Sequence, residues 1–148
     1  MGTARALGTV TRGTTNPNRL RRNDNWITAH PAIRALLACA VPGSPPLVID
    51  LGYGSSAVTT LELAARIRRR IAPVAVLGLE IDPSRVAAAL PFADPPLLDF
   101  AVGGFELAGR RPQLVRAMNV LRQYSEEQAY AAWGEMRGRL APAGLIVE

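Results

Sequence analysis

The stretch Val48-Ile49-Asp50-Leu51-Gly52-Tyr53-Gly54-Ser55-Ser56-Ala57 decides the fold. Leu47, Val48 and Ile49 form a short apolar run behind Pro45-Pro46, the pattern of a buried parallel strand. Gly52 and Gly54 permit a tight turn and a close backbone approach to a ligand, which a Cβ would block. A helix over about residues 57–70 follows and directs its free N–H groups and positive dipole end back at the turn. Its last turn holds Arg66, Arg68, Arg69 and Arg70, the charge sign that suits a helix C-terminus. A strand ending in an acid, a glycine turn and a helix together make a cradle for a nucleotide-like cofactor.

The spacing Gly52-x-Gly54-x-x-Ala57 also fits the dinucleotide fingerprint. Asp50 argues against that alternative, because a carboxylate just before the turn would repel a pyrophosphate. It suits a cofactor with a cationic end, such as an amino group or a sulfonium. A second apolar run, Val74-Ala75-Val76-Leu77-Gly78-Leu79, ends in Glu80, thirty positions after Asp50. In a right-handed strand–helix–strand unit Glu80 falls at the carboxyl end of the neighbouring strand, where a carboxylate can take two ribose hydroxyls. Asp82-Pro83 then opens another helix, with Asp82 as N-cap and Pro83 at its first position.

These residues resemble the class I S-adenosylmethionine-dependent methyltransferases. Val48-Ile49-Asp50-Leu51-Gly52-Tyr53-Gly54 is similar to the family's first motif, and Leu77-Gly78-Leu79-Glu80-Ile81-Asp82 to its second. Leu114-Val115-Arg116-Ala117-Met118-Asn119-Val120-Leu121 resembles the fourth strand, and Leu140-Ala141-Pro142-Ala143-Gly144-Leu145-Ile146-Val147 the turn and fifth strand. The resemblance implies an α/β, Rossmann-like, mostly parallel sheet flanked by helices. It implies methyl transfer from S-adenosyl-L-methionine to an unidentified acceptor, a small molecule first. Asp50, Gly52 and Gly54 would hold the methionine part, with Tyr53 inside the turn. Glu80 would bind the ribose and Ile81 would pack on the adenine. Gly104 stands where the family often has an acid for the adenine amino group, so adenine recognition falls to backbone groups or to stacking on Phe105. Asn119, after the fourth strand, completes the candidate contacts. No Asn-Pro-Pro-Tyr-type motif follows that strand, so amino methylation of bases or glutamine is not indicated. The family sheet has seven strands, and the chain reaches Glu148 at its fifth. The expectation is therefore a sheet lacking the last two strands, whose fifth strand is an exposed edge open to a partner or a second copy.

Two other functions stay open on the sequence. One is an NAD(P)-binding Rossmann oxidoreductase. The other is a truncated, non-catalytic cofactor-binding or regulatory module.

Composition bounds the rest. With 148 residues and 49% apolar content the chain has room for one core. No apolar run is long enough to span a bilayer, and the N-terminus lacks a signal-peptide apolar region. One cysteine, Cys39, excludes an internal disulfide and a cysteine-based zinc cluster, and no His/Asp/Glu group has metal spacing. A reducing cytoplasmic setting is the simplest expectation. The formal charge is +5, which invites a nucleic-acid partner. All 17 basic residues are arginine, however, a pattern that reads as coding bias in GC-rich DNA and weakens the nucleic-acid reading.

Residues 1–30 read as a basic arm ahead of a domain over 31–148. Arg5, Arg12, Arg19, Arg21 and Arg22 precede the first acid, Asp24, and residues 12–19 have loop composition. Either the arm is solvated, or it folds over the cofactor site and sets an arginine on a carboxylate or an acidic substrate, with Trp26 and Ile27 as anchors. Further expectations are a helix over 31–39 ended by Pro42-Gly43, a helix over 84–90, and strands over 98–102 and 114–120. A capping box at Ser125 opens a helix to Arg139, with Ala129, Ala132, Trp133 and Met136 on its buried face. His30, the one histidine, reads as a helix-start residue rather than a base.

Overall fold

The computed structural model describes residues 5–39, 44–71 and 73–148. The element order is α1 (Arg21–Ala29), α2 (Pro31–Ala38), β1 (Leu47–Leu51), α3 (Val58–Arg70), β2 (Ala75–Glu80), α4 (Pro83–Ala89), β3 (Leu98–Val102), β4 (Leu114–Arg116), α5 (Glu126–Arg139) and β5 (Leu145–Val147). Single 3-10 turns lie at Leu90–Phe92, Leu107–Gly109 and Leu121–Gln123. The five strands form one sheet in the order β3-β2-β1-β4-β5, and all four pairings are parallel.

Alternation along the strands builds two cores, one on each face of the sheet. Val48, Val76 and Leu114 point to the face covered by α1 to α4, where Ile27, Ile33, Leu63 and Ile67 are fully buried. Ile49, Leu77 and Val115 point to the face covered by α5, against Leu107, Ala132 and Met136. Each buried Leu or Ile contributes about 1.5–3 kcal/mol relative to exposure. Gly78 in mid-strand is required by packing: a Cβ there would lie 2.6 Å from the Phe100 ring and 3.1 Å from that of Tyr53.

The helix ends follow the sequence signals. Asp82 caps α4 by accepting the Ser84 N–H, and Pro83 stands in its first turn. Ser125 and Gln128 close the complete capping box of α5.

Four expectations change. Of the segment expected as an arm, Arg21–Ala29 is helical and packs on α3, burying Asp24, Ile27 and Thr28. Ile27 is an anchor, but Trp26 is 52% exposed, because it falls on the solvent side of α1. Trp133 is 41% exposed, its ring set edge-on to Tyr130 and its indole N–H on Glu148, so Ala132 and Met136, with the partly buried Ala129, carry the buried face of α5. The fourth strand stops at Arg116, because Asn119 adopts a left-handed conformation (φ 62°) and the chain turns into the 3-10 turn at Leu121. The expected stop of α2 at Pro42-Gly43 lies outside the described residues. Among the described residues no helix is long and apolar enough to cross a membrane, and no His/Cys/Asp/Glu group could hold a metal ion.

Candidate functional site

The carboxyl ends of β1, β2 and β4 meet at the glycine turn. Gly52 and Gly54 both have positive φ (68° and 91°), which a Cβ would strain. A Cβ on Gly52 would lie 2.7 Å from Val120, and one on Gly54 would lie 2.8 Å from the Gly13 carbonyl oxygen. The turn is thus pressed between the segment after β4 and the N-terminal segment.

Glu80 stands at the end of β2, 2% exposed. Its Oε2 accepts the Gly54 N–H at 3.0 Å and its Oε1 accepts the Ile81 N–H at 2.9 Å, while Arg85 lies 3.5 Å away. Tyr53 is buried edge-on against Phe100, and its hydroxyl has no partner among the described residues. Burial pushes the Tyr53 phenol well above its ordinary value, reinforced by the Glu80 and Asp50 carboxylates. At neutral pH it is a neutral hydroxyl that can donate a hydrogen bond.

Asp50 departs from the sequence argument. Its Oδ1 accepts from Arg116 Nε and its Oδ2 from Arg116 Nη2, both at 2.9 Å, and Thr60 Oγ1 donates to Oδ2 at 2.7 Å. The carboxylate is therefore already compensated within the protein and is no free counter-charge for a cationic ligand. Arg116 is fully buried and also contacts Asp24, which Arg66 contacts in turn. Burial would lower the Arg116 pKa, but Asp50 and Asp24 outweigh it and raise it, so the guanidinium stays charged. Burial pushes the Asp24 carboxyl up, against the opposing pull of Arg116 and Arg66. Sequence reading missed Arg116 and Asp24 because their partners lie far away in the chain.

The N-terminal segment crosses the site in extended form, fastened at every second residue. Leu7 donates its N–H to Glu106 Oε2 (2.6 Å), and its carbonyl accepts the Phe105 N–H (3.0 Å). Thr9 N–H donates to Tyr124 Oη (2.6 Å), Arg85 donates to the Thr11 carbonyl (2.9 Å), and Ser55 N–H donates to the Gly13 carbonyl (3.0 Å).

Two recesses result. The larger, about 530 Å³, brings together Asp50, Gly52, Tyr53, Gly54 and Asn119 and is bordered by Arg12, Arg19 and Arg122. The smaller brings together Gly52, Glu80, Ile81, Gly104 and Phe105, and the N-terminal segment leaves only about 10 Å³ of it open. All nine candidate residues thus border one or other of two recesses that share Gly52 as a wall. Glu106, 4% exposed and two positions after Gly104, is a buried acid against the Gly104 backbone. It accepts the Gly104 N–H at 2.9 Å as well as that of Leu7. Its place after the third strand was the available signal.

The fold has solved relatives. The citrinin polyketide synthase CMeT domain matches with a TM-score of 0.58 at 20% identity, over 72% of this chain and 29% of that one. The cyclopropane synthase MmaA2 from Mycobacterium tuberculosis matches with a TM-score of 0.54 at 16% identity, over 85% and 40%. The magnesium protoporphyrin IX methyltransferase ChlM from Synechocystis PCC 6803, solved with bound SAM, matches with a TM-score of 0.51 at 20% identity, over 86% and 62%. The chain has the class I methyltransferase fold. It spans less than two thirds of the length of each of these methyltransferase-fold neighbours. No family model and no curated protein matches the sequence.

Proposed function

We propose that this methyltransferase-fold chain binds S-adenosyl-L-methionine and serves methyl transfer to a small-molecule acceptor. The observation that carries the reading is the chemistry around Leu7. Glu106 accepts its N–H and the Phe105 N–H is accepted by its carbonyl, a donor and an acceptor side by side, as on the amino edge of adenine. The residues fit the cofactor: Glu106 and Phe105 N–H for the adenine edge, Ile81 and Phe105 for its faces, and Glu80 for the ribose. Gly52, Gly54 and Asn119 border the space for the methionine part.

When bound, the cofactor supplies a methyl group already activated on a sulfonium, which an acceptor can attack in line. The protein's share is then position and orientation. The Tyr53 hydroxyl is buried and, being neutral, removes no proton. Asp50, the carboxylate lining that recess, is held by Arg116. Both facts favour an acceptor nucleophilic without a strong base. Arg12, Arg19 and Arg122 favour anionic groups, either the methionine carboxylate or an acidic acceptor.

Isothermal titration with S-adenosyl-L-methionine, S-adenosylhomocysteine, NAD and NADP tests the reading. Binding of the first two without the dinucleotides supports it, and the reverse selectivity would sink it in favour of an oxidoreductase.

A further inference from the structure

We infer that the N-terminal segment is an internal ligand of the adenosine cleft and competes with the cofactor for it, an inference that rests on the function proposed above. Leu7 takes both hydrogen-bonding groups of the proposed adenine edge, the Glu106 carboxylate and the Phe105 N–H. Gly8 takes the space between the faces. A Cβ built on it would lie 2.9 Å from Ile81 Cδ1, 3.0 Å from Tyr124 Oη and 3.3 Å from the Phe105 ring. Gly104 is covered as closely, since a Cβ there would collide with the Leu7 backbone. With about 10 Å³ left open, the recess cannot take a purine while the segment is in place.

The segment has a natural point of release. Beyond it, the Gly13 carbonyl is held by both the N–H and the hydroxyl of Ser55, and the Asn18 N–H is held by Glu62 on α3. From Leu7 to Thr11 the ties are to side chains and loop backbone at the cleft itself. Gly13, with φ 71°, sits at the junction. Cofactor entry therefore exchanges Leu7–Thr11 for adenosine while Gly13–Asn18 stays attached. The apparent affinity is lowered by the fraction of molecules whose cleft is filled.

Two substitutions open the cleft without touching its walls. Gly8→Val places a branched side chain at φ 128° against Ile81 and Tyr124, and Leu7→Pro removes the N–H that Glu106 accepts. Titration of the unsubstituted chain and both variants with S-adenosylhomocysteine is expected to show about tenfold tighter binding by the variants, with a lower melting temperature of the variants in the absence of ligand because the docked segment stabilises the fold. Equal affinities in all three would overturn the competition and leave the cofactor site standing. Absence of binding in all three would overturn both. Amide hydrogen exchange on the unsubstituted chain gives a second reading. Saturation with S-adenosylhomocysteine is expected to deprotect the Leu7 and Thr9 amides, and retained protection would overturn the exchange.

Discussion

Asp50 and Arg116 are register partners on adjacent parallel strands, and the arginine grips the carboxylate through two hydrogen bonds of 2.9 Å. The same guanidinium reaches Asp24 on α1 and the Thr59 carbonyl on α3. One buried cation thus ties the sheet to two helices directly beneath the glycine turn. Arg116→Ala leaves the buried Asp50 without a cationic partner and Asp24 with Arg66 alone, and the expected loss is about 3–5 kcal/mol of unfolding free energy. Urea denaturation followed by circular dichroism measures it. A loss below about 1 kcal/mol would show that the acids find other partners.

Glu80 and Asp50 separate into different roles. Glu80→Ala is expected to weaken S-adenosyl-L-methionine binding by about 1–3 kcal/mol, the scale of a lost charged hydrogen bond. Asp50→Ala is expected to lower the melting temperature first, because it leaves Arg116 half unpaired. Calorimetric titration beside a thermal melt of each variant separates the two. Identical profiles for both would contradict the division.

Gly54→Ala tests the contact between turn and N-terminal segment. The new Cβ carries the strain of a positive φ and presses on the Gly13 carbonyl. The expected cost is about 1–2 kcal/mol. Limited proteolysis should also cut faster around Arg12 and Arg19, which an unchanged digestion pattern would rule out.

Asp82 gives the pH dependence a direction. The Ser84 hydroxyl and then the Ser84 N–H hold its carboxyl below the ordinary value of 3.8. A folded-state pKa below the unfolded one means stabilisation that is complete above about pH 4 and lost as pH falls through the folded value. Asp82→Asn keeps a capping oxygen and does not titrate. The stability gap between the two proteins should therefore shrink between pH 6 and pH 3, and a constant gap across that range would refute the assignment. Asp82 is only partly buried, its side chain 31% exposed, so the change is small.

The local devices were legible in the chain. An apolar run behind Pro45-Pro46 located β1, Asp82-Pro83 located the start of α4, and Ser125 with Gln128 announced the capping box of α5. Each is a signal confined to a few neighbouring residues, so the sequence displays it directly. Trp133 went astray because the sequence around it has no strong apolar stripe, and side-chain periodicity could not say which flank of the helix faces the sheet.

By itself, then, the sequence determined the acid–glycine-turn motif and the parallel strand–helix alternation, and it pointed to nine residues that border the two recesses. These follow from short-range rules of backbone conformation and burial. Only the tertiary structure decided that Asp50 belongs to a buried ion network, that Glu106 accepts the Leu7 and Gly104 N–H groups, and that Leu7 lies in the cleft. Asp24 and Arg116 are 92 positions apart, and Leu7 and Glu106 are 99. Contacts at such separation depend on how the sheet stacks its strands, which no local pattern encodes.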